Sequence, residues 1–411
     1  MQLQLSSGNS VAKLNLPDGT VVHATSTNES SDVLSTALRN PLGLPVLPEC
    51  VVPGDRVVIV VDSETPDVVD VVTQVWAQFQ KLNTDELDVT LLLPASTGGA
   101  GSQHVIDDLP VHVRNQLAAH VHDPTDEDQR RYLASSAGGE RLYLSHYVTD
   151  ADLIISIGTI GFDGGFGYRG TNSVIYPAFS DVPAISAAKR DCDSQLAPED
   201  KRPLRELVDE IGWLLGTQFT VQVVPGLAGG IEGVFCGATD QVMAAGKQLL
   251  NERCRLTVEE EVHLAIVSIP GNSGFGWKHF GAALATASRL VGDDGRIAVV
   301  AELPEHIGPG LKMLRRCNAP EELLQPLNDE PPEDAVEVTQ LILALRNSQI
   351  YLFSNLDDSL VEDLGILPLS TETELQRVID SSDSVIVVPN ANYVWAQMGV
   401  ATAISRQRQV G

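Results

Sequence analysis

Apolar runs that alternate with segments of helical spacing dominate the chain. A continuous apolar run at Arg56–Val61 is followed by a helical pattern at Val68–Phe79 and by a second apolar run at residues 89–93. A strand, a helix and a strand in succession predict a parallel α/β unit, because strands buried on both faces are apolar at nearly every position. The same pattern predicts further buried strands at residues 153–157, 220–224, 262–269, 296–300, 350–353 and 384–388.

Two α/β domains with mainly parallel sheets account for this alternation over 411 residues. The last four predicted strands alternate with helix-like segments at residues 282–290, 335–346 and 371–379. We therefore expect an N-terminal domain at residues 1–256 and a C-terminal domain at residues 257–411. Short alternating runs in the first 25 residues predict a small antiparallel hairpin region. The acidic, proline-rich residues 320–337 are expected to form a surface excursion within the second domain.

Composition supports a folded chain and excludes two classes of partner. Hydrophobic residues make up 43% of the chain and charged residues 20%, as in globular proteins. The 55 acidic and 27 basic residues give a formal net charge of -28, which disfavours binding to nucleic acid or to anionic membranes. No secretory signal, transit peptide or membrane-spanning run is evident, so a cytoplasmic protein is expected. The five cysteines are widely spread, and we expect reduced thiols.

Candidate chemistry should lie directly after the predicted strands, because ligands bind at the carboxyl ends of strands in open parallel sheets. Asp62 ends the first strand and begins the segment Asp62-Ser63-Glu64-Thr65-Pro66. Two interpretations are open: Ser63 or Thr65 caps the next helix, or Asp62 faces a substrate. The loop at residues 98–101 is nearly all glycine and has two interpretations as well, an anion-binding loop or a flexible surface loop.

The glycine-rich segment at residues 157–181 is the richest of these junctions. Six glycines fall within thirteen residues, which favours sharp bends or close approach of the backbone to a ligand. We expect a long binding loop with four polar candidates, Asp163, Arg169, Asn172 and Ser173. A second glycine-rich loop, at residues 271–276, follows the first strand of the second domain. It should place Trp277, Lys278 and His279 on the first turn of a helix that faces an interdomain cleft.

These junctions together resemble the nickel-dependent lactate racemase family, whose members carry a covalently tethered nickel pincer nucleotide between two α/β domains. The resemblance begins at ALRNPLG, residues 37–43, and continues through the strand that ends in Asp62. It is clearest at residues 151–177, where ADLIISIG and the G-Y-x-G...P frame match without a gap. The resemblance covers most of the chain and implies the family's two-domain fold.

The family's chemical groups are mostly replaced. Ser173 stands where the family has the lysine bonded to the cofactor, and Lys189 stands where it has the nickel-ligand histidine. The covalent nickel pincer nucleotide is therefore not expected, since a hydroxyl cannot form that link and a protonated amine is a poor nickel ligand. The cofactor is otherwise unknown, and no metal ligand is assigned. A Mg²⁺ or Mn²⁺ site stays open as an idea, because Asp62, Glu64 and Asp163 supply carboxylates that could hold such an ion.

The remaining family positions are also changed, apart from Asp62. The two proton-exchanging histidines fall on Asp163 and in the loop at residues 98–101, with His104 as the nearest imidazole. The family's arginine after the first strand becomes Thr65, and its second-domain glutamine and lysine become His279 and Ala282. We interpret this as a rebuilt site, although a drifted protein without activity would look similar.

Two functions are consistent with such a site. The first is an isomerase of the racemase or epimerase type, acting on a small hydroxy acid or sugar acid in the expected cleft. Asp163 and His279 would be its acid/base pair, with Lys189 close enough to tune a carboxylate. The second is a non-catalytic protein that binds a nucleotide or small organic anion. A homo-oligomer is compatible with both. The residues expected to contact the substrate are Asp62, Thr65, Arg169, Asn172, Ser173, Trp277 and Lys278.

Overall fold

A computed structural model describes residues 1–23, 33–80, 87–95, 101–190, 196–216, 218–227, 229–271 and 276–399. The chain divides into two compact units. The first unit comprises Thr27–Gly226 and Gly230–Glu252, and the second comprises Met1–Ser26, Leu227–Gly229 and Arg253–Gly411. The sequence predicted domains at residues 1–256 and 257–411. That prediction groups the N-terminal segment with the first unit, whereas the structure groups it with the second.

The first unit is built on one six-stranded sheet with the strand order β13-β12-β9-β4-β5-β6. Its strands and those of two small hairpins are β4 Arg56–Val61, β5 Asp88–Leu93, β6 Ala118–Val121, β7 Arg130–Ser135, β8 Arg141–Ser145, β9 Leu153–Thr159, β10 Gly161–Asp163, β11 Gly167–Arg169, β12 Gln218–Pro225 and β13 Ile231–Ala238. Its helices are α1 Val33–Arg39, α2 Val68–Phe79, α3 Gly101–Asp108, α4 Val111–Arg114, α5 His146–Thr149, α6 Val182–Ala187, α7 Pro203–Leu215 and α8 Thr239–Cys254, the last two residues of which fall in the second unit.

The strands of this sheet are parallel except β13, which pairs antiparallel with β12. Alternate residues of β4 belong to two different cores: Val57, Ile59 and Val61 to one, and Val58 and Val60 to the other. The sheet is therefore covered on both faces, which is why its strands are continuously apolar. The predicted β4 and α2 are confirmed with unchanged bounds.

The second unit contains another six-stranded sheet, with the order β18-β17-β16-β15-β19-β3 and parallel pairing throughout. Its strands, including two smaller pairs, are β1 Gln2–Ser7, β2 Ser10–Asn15, β3 Val21–Val22, β14 Arg255–Val258, β15 Val262–Ser268, β16 Val291–Ala301, β17 Ser348–Ser354, β18 Leu367–Leu369, β19 Val385–Val388 and β20 Trp395–Met398. Its helices are α9 Gly276–Ala287, α10 Pro309–Leu314, α11 Leu324–Asp329, α12 Ala335–Asn347, α13 Asp358–Asp363 and α14 Glu372–Asp380.

The N-terminal hairpin and the proline-rich segment show how local pattern and tertiary context combine. β1 and β2 pair antiparallel as predicted, and Leu5 and Leu14 pack in one core with Leu264 of β15. The third N-terminal run does not extend this hairpin, because β3 pairs parallel with β19.

Residues 320–337 are more ordered than a surface excursion: they contain a 3-10 turn at Pro320–Leu323, all of α11 and the start of α12. No helix among the described residues is long and apolar enough to cross a bilayer.

Candidate functional site

A tight turn follows β4 and fixes Asp62 at the carboxyl edge of the sheet. The Asp62 amide donates to the Ile157 carbonyl of the neighbouring strand at 2.9 Å. Its carboxylate accepts the Glu64 amide at 3.0 Å, and its carbonyl accepts the hydroxyl of Thr65 at 2.7 Å. The capping interpretation was wrong, because α2 begins after Asp67, which has a left-handed backbone and forms no side-chain cap. Thr65 is 4% exposed and serves the turn itself.

The glycine-rich segment after β9 is a hairpin rather than the open loop that we expected. β10 and β11 pair antiparallel, with Gly161 opposite Arg169 and Asp163 opposite Gly167. Asp163 ends the first strand of the hairpin, and its Oδ1 accepts the Gly165 amide at 2.8 Å and the Phe166 amide at 3.0 Å. Both of its described hydrogen bonds use Oδ1, so the rotation of the carboxylate is fixed while Oδ2 takes no part in holding the turn.

Arg169 joins the hairpin to the turn after β4. Its Nη1 lies 3.4 Å from Glu64 Oε2 and 3.8 Å from Asp62 Oδ2. The Arg169 and Glu64 side chains are only 17% and 10% exposed, so this ion pair is less screened by solvent than a surface pair. One guanidinium facing two carboxylates leaves a local formal charge of about -1. The structure thus brings Arg169 together with Asp62 and Glu64, three residues that the sequence placed at two separate junctions.

The 3-10 turn at Thr171–Val174 follows the hairpin and uses the polar side chains that we expected to contact substrate. The Ser173 hydroxyl accepts the Gly170 amide at 2.7 Å and donates to the Gly170 carbonyl at 3.1 Å. Asn172 is 9% exposed and packs directly against Gly212 of α7. Both side chains therefore have a structural task, and their predicted substrate contacts remain predictions.

Lys189 and His104 lie on other segments of the first unit. Lys189 follows α6, where its amide donates to the Ser186 carbonyl at 3.2 Å and its side chain is partly buried. His104 lies on α3 with a side chain that is 66% exposed, and its Nδ1 is 2.9 Å from Asp108 Oδ2. No described contact joins His104 to Asp163, so the structure gives no support to His104 as a displaced replacement. Residues 98–100 lie outside the described residues.

Trp277, Lys278 and His279 lie on the first turn of α9, as predicted. The Trp277 ring is buried, and its Nε1 donates to the Pro304 carbonyl at 3.1 Å. His279 is 6% exposed with its ring 6.1 Å from that of Tyr393, whereas Lys278 is exposed. Residues 272–275 of the loop before this helix lie outside the described residues. The predicted pairing of His279 with Asp163 involves two units and stays a prediction.

Comparison with known proteins agrees with this architecture. Residues 7–193 match the family model of the lactate racemase N-terminal domain. The match covers 187 of the 411 residues and identifies this part of the chain as similar to the lactate racemase N-terminal domain.

Two solved structures share the fold of this chain. The lactate racemase apoprotein from Thermoanaerobacterium thermosaccharolyticum is 18% identical, with a TM-score of 0.81 over 97% of this chain and 100% of that chain. A crystal structure of a Thermotoga maritima protein is 10% identical, with a TM-score of 0.69 over 89% of this chain and 97% of that chain. At such identities these likenesses show the fold alone. Comparison with curated protein sequences gives no significant match.

Where the sequence resemblance places the cofactor-binding residues, the side chains of this chain do not fit a lysine-tethered nickel cofactor. At the tethering position, Ser173 offers a hydroxyl that is already bonded to both backbone groups of Gly170. At the position where the resemblance places the nickel ligand, Lys189 offers an aliphatic amine, which must lose its proton before it can bind a metal. The donor set is thus chemically wrong for that cofactor, and we derive no step through it.

The idea of a Mg²⁺ or Mn²⁺ site also loses its support. Among the residues that the structure describes, no group of three or more His, Cys, Asp or Glu side chains is placed to hold a metal ion. Asp62, Glu64 and Asp163 are all described, so they do not form the predicted carboxylate site. Asp62 and Glu64 share Arg169 instead.

Two polar residues that support this site were missed in the sequence. Gln222 lies inside β12, where its Oε1 accepts the Thr171 amide at 2.9 Å and its Nε2 donates to the Ser156 carbonyl at 3.1 Å. It holds Thr171 at a φ of 52°, a left-handed conformation that is costly for a β-branched residue. Arg202 is 4% exposed and donates to four carbonyls, those of Gly164, Leu196, Ala197 and Asp200. An isolated glutamine or arginine gives no local signal of such a role.

His122 is a third missed residue, and it follows β6 at the same edge of the sheet. It is 3% exposed, and its Nε2 lies 2.7 Å from the Ser180 carbonyl oxygen. Burial lowers the pKa of His122 below its ordinary value of 6.5, although the Ser180 carbonyl and the Asp123 carboxylate oppose this shift. The neutral imidazole is therefore the form that the folded protein favours.

The first unit should lose stability as the pH falls below 6.5, the ordinary pKa of His122. In that range the unfolded chain binds a proton at His122 that the folded unit does not, so the free energy of unfolding falls by up to about 1.4 kcal/mol per pH unit. His122→Gln should flatten this slope, as measured by hydrogen exchange of first-unit peptides from pH 5 to pH 7.5. His112→Gln, at an exposed position of α4, is the matched control and should leave the slope unchanged. An equal slope in His122→Gln and wild type would contradict the assignment.

Proposed function

We propose that this lactate racemase-like protein is an isomerase of the racemase or epimerase type that acts on a small hydroxy acid or sugar acid without a tethered nickel cofactor. The observation that carries the proposal is the fixed carboxylate of Asp163, at the position where the family resemblance places a proton-exchanging histidine. Its Oδ1 is held by two backbone amides, and a positioned acid/base group contributes more to proton transfer than a mobile one.

The substrate carboxylate needs a cation, and Arg169 and Lys189 are the two candidates from the sequence. Arg169 also faces Glu64 and Asp62, so it orders the acidic turn. Positive charge next to the substrate carboxylate would also stabilise the negative charge that develops on proton removal. His279 stays our candidate for the second acid/base group, and Trp277 and Lys278 stay candidates for substrate contacts.

Asp163→Asn should lower proton exchange at least about 100-fold, because the amide cannot act as a base. The Asn oxygen can still accept the Gly165 and Phe166 amides, so the hairpin should be preserved. The assay follows deuterium incorporation at C2 of a panel of hydroxy acids and sugar acids in D₂O by NMR. Asp128→Asn, at an exposed position of the same unit, is the matched control and should exchange like wild type.

A non-catalytic anion-binding protein is the second candidate function. The replacement of the family's two proton-exchanging histidines favours it, since the positions that the resemblance assigns to them, Asp163 and residues 98–101, carry no imidazole. The deuterium incorporation assay also distinguishes the two functions. A hydroxy acid that binds wild type but gains no deuterium in D₂O would exclude the isomerase for that ligand and support the binding protein.

A further inference from the structure

The β10–β11 hairpin has a second face, opposite the one that carries Arg169. Successive residues of a strand point to opposite sides, so the neighbouring Tyr168 faces away from Glu64 and Asp62. The Tyr168 ring is 5% exposed, and its hydroxyl lies 2.7 Å from Glu199 Oε1 and 3.0 Å from Asn251 Oδ1. A tyrosine fixed at both its backbone and its hydroxyl forms a rigid wall.

This wall borders a cavity of about 490 Å³, which lies within the size range of small-molecule sites. The apolar part of its lining comes from Phe166, Tyr168 and Pro198, and the two half-buried cations are Arg205 and Lys247. The acidic side chains of the lining, Glu199, Asp200 and Glu206, are exposed. The more buried of the charged residues that line the cavity are therefore cations, and the Glu199 carboxylate is bound to the Tyr168 hydroxyl.

Lys247 is the central cation of this cavity. Its Nζ lies 4.6 Å from the centre of the Tyr168 ring, within the range of a cation–π contact. The Arg205 guanidinium is close by, since it donates to the Tyr168 carbonyl at 3.2 Å and pairs with Asp209. Burial and the charge of Arg205 lower the pKa of Lys247, although Asp209 and Glu199 oppose this shift. An anion beside this half-buried ammonium would therefore stabilise its charged form.

We propose that this cavity binds a small organic carboxylate, with the carboxylate between Lys247 and Arg205 and the apolar part of the ligand against Phe166, Tyr168 and Pro198. An aromatic and aliphatic wall with a few convergent charges is the usual composition of a small-molecule site. This site shares the hairpin with Asp163 but none of the residues assigned to the isomerase. Its existence does not depend on the proposed function.

Isothermal titration with benzoate tests this site, because benzoate combines a carboxylate with a flat apolar ring. We expect saturable binding of one benzoate per chain and at least a tenfold loss of affinity in Lys247→Met, which keeps most of the side-chain length without the charge. Lys201→Met is the matched control, since Lys201 also lines the cavity but is exposed, and it should change the affinity less than twofold. Benzamide, the uncharged analogue, should bind at least tenfold more weakly than benzoate.

Three results would overturn the proposal: equal benzoate affinity in wild type and Lys247→Met, equal affinity of benzoate and benzamide, or binding of inorganic phosphate in place of benzoate. Should Lys247→Met not fold, acetylation of the wild-type protein decides the question. Saturating benzoate should slow the acetylation of Lys247 at least fivefold, as mapped by mass spectrometry, while Lys201 reacts at its usual rate. Unchanged acetylation of Lys247 would reject the site. The Asp163→Asn protein should still bind benzoate, which separates this result from the fate of the isomerase.

Discussion

Arg202→Ala should destabilise the first unit by about 3–5 kcal/mol. The Arg202 guanidinium is buried and donates to the carbonyls of Gly164 at 2.8 Å, Ala197 at 2.9 Å, Asp200 at 2.9 Å and Leu196 at 3.1 Å. Removing it takes the charged donor from four partly buried hydrogen bonds, and a hydrogen bond to a charged group contributes about 1.5–3 kcal/mol. The bond to Gly164 also ties the turn of the β10–β11 hairpin, so the effect should be largest there.

Native-state hydrogen exchange measures this loss and locates it. The amides of Gly165 and Phe166, which hold Asp163, should lose protection along with the strands of the first unit. Lys201→Ala changes the adjacent exposed residue and should cost less than about 0.5 kcal/mol. Arg202→Lys keeps the charge but not the fork of donors, so its stability should lie between wild type and Arg202→Ala. A loss below about 1 kcal/mol in Arg202→Ala would show that water replaces the guanidinium.

The parallel sheets could be predicted from the sequence because their signal is local. β4 and β9 are covered on both faces, so burial makes most of their residues apolar. The helix α2 is confirmed with its predicted bounds because one apolar face repeats along it, through Val71, Val72 and Val75. For α9 the apolar pattern indicated a helix only from residue 282, and the first turn with Trp277 and His279 was predicted from the glycine-rich loop before it; the helix spans Gly276–Ala287.

The site could be predicted only in part because its contacts are distant in sequence. Asp62 and Arg169 were recognised as candidates from their places after apolar strands. Their contact brings together two segments that are far apart in the chain. Arg169 and Glu64, which also pair, are separated by 105 residues. The glycines do allow another group to approach the backbone closely, as predicted. The groups that approach are side chains of the protein rather than a ligand. A Cβ at Gly158 would overlap Val174, and one at Gly161 would lie 3.1 Å from Arg169 Nε. Such partners leave no trace in local composition.

Gly167→Ala should destabilise the first unit by about 3–5 kcal/mol through two separate effects. Gly167 has a φ of 73°, in the left-handed region, where a side chain costs about 1–2 kcal/mol. A Cβ at this position would also overlap the Pro198 carbonyl oxygen and lie 2.8 Å from Arg202 Nη1. These neighbours are a backbone group and a guanidinium held by several hydrogen bonds, so they cannot yield cheaply, and overpacking of this kind costs about 1–3 kcal/mol.

Gly139→Ala separates the two effects of the Gly167 substitution. Gly139 lies in the same unit with a φ of 84°, but a Cβ there would meet no atom within 4 Å. Its replacement should therefore cost only the conformational term of about 1–2 kcal/mol. The difference between the two variants, measured by hydrogen exchange of first-unit peptides, isolates the contact with Pro198 and Arg202. Equal losses would mean that the segment of Pro198 moves aside freely, and the hairpin that holds Asp163 would then owe its position to β10–β11 pairing rather than to this contact.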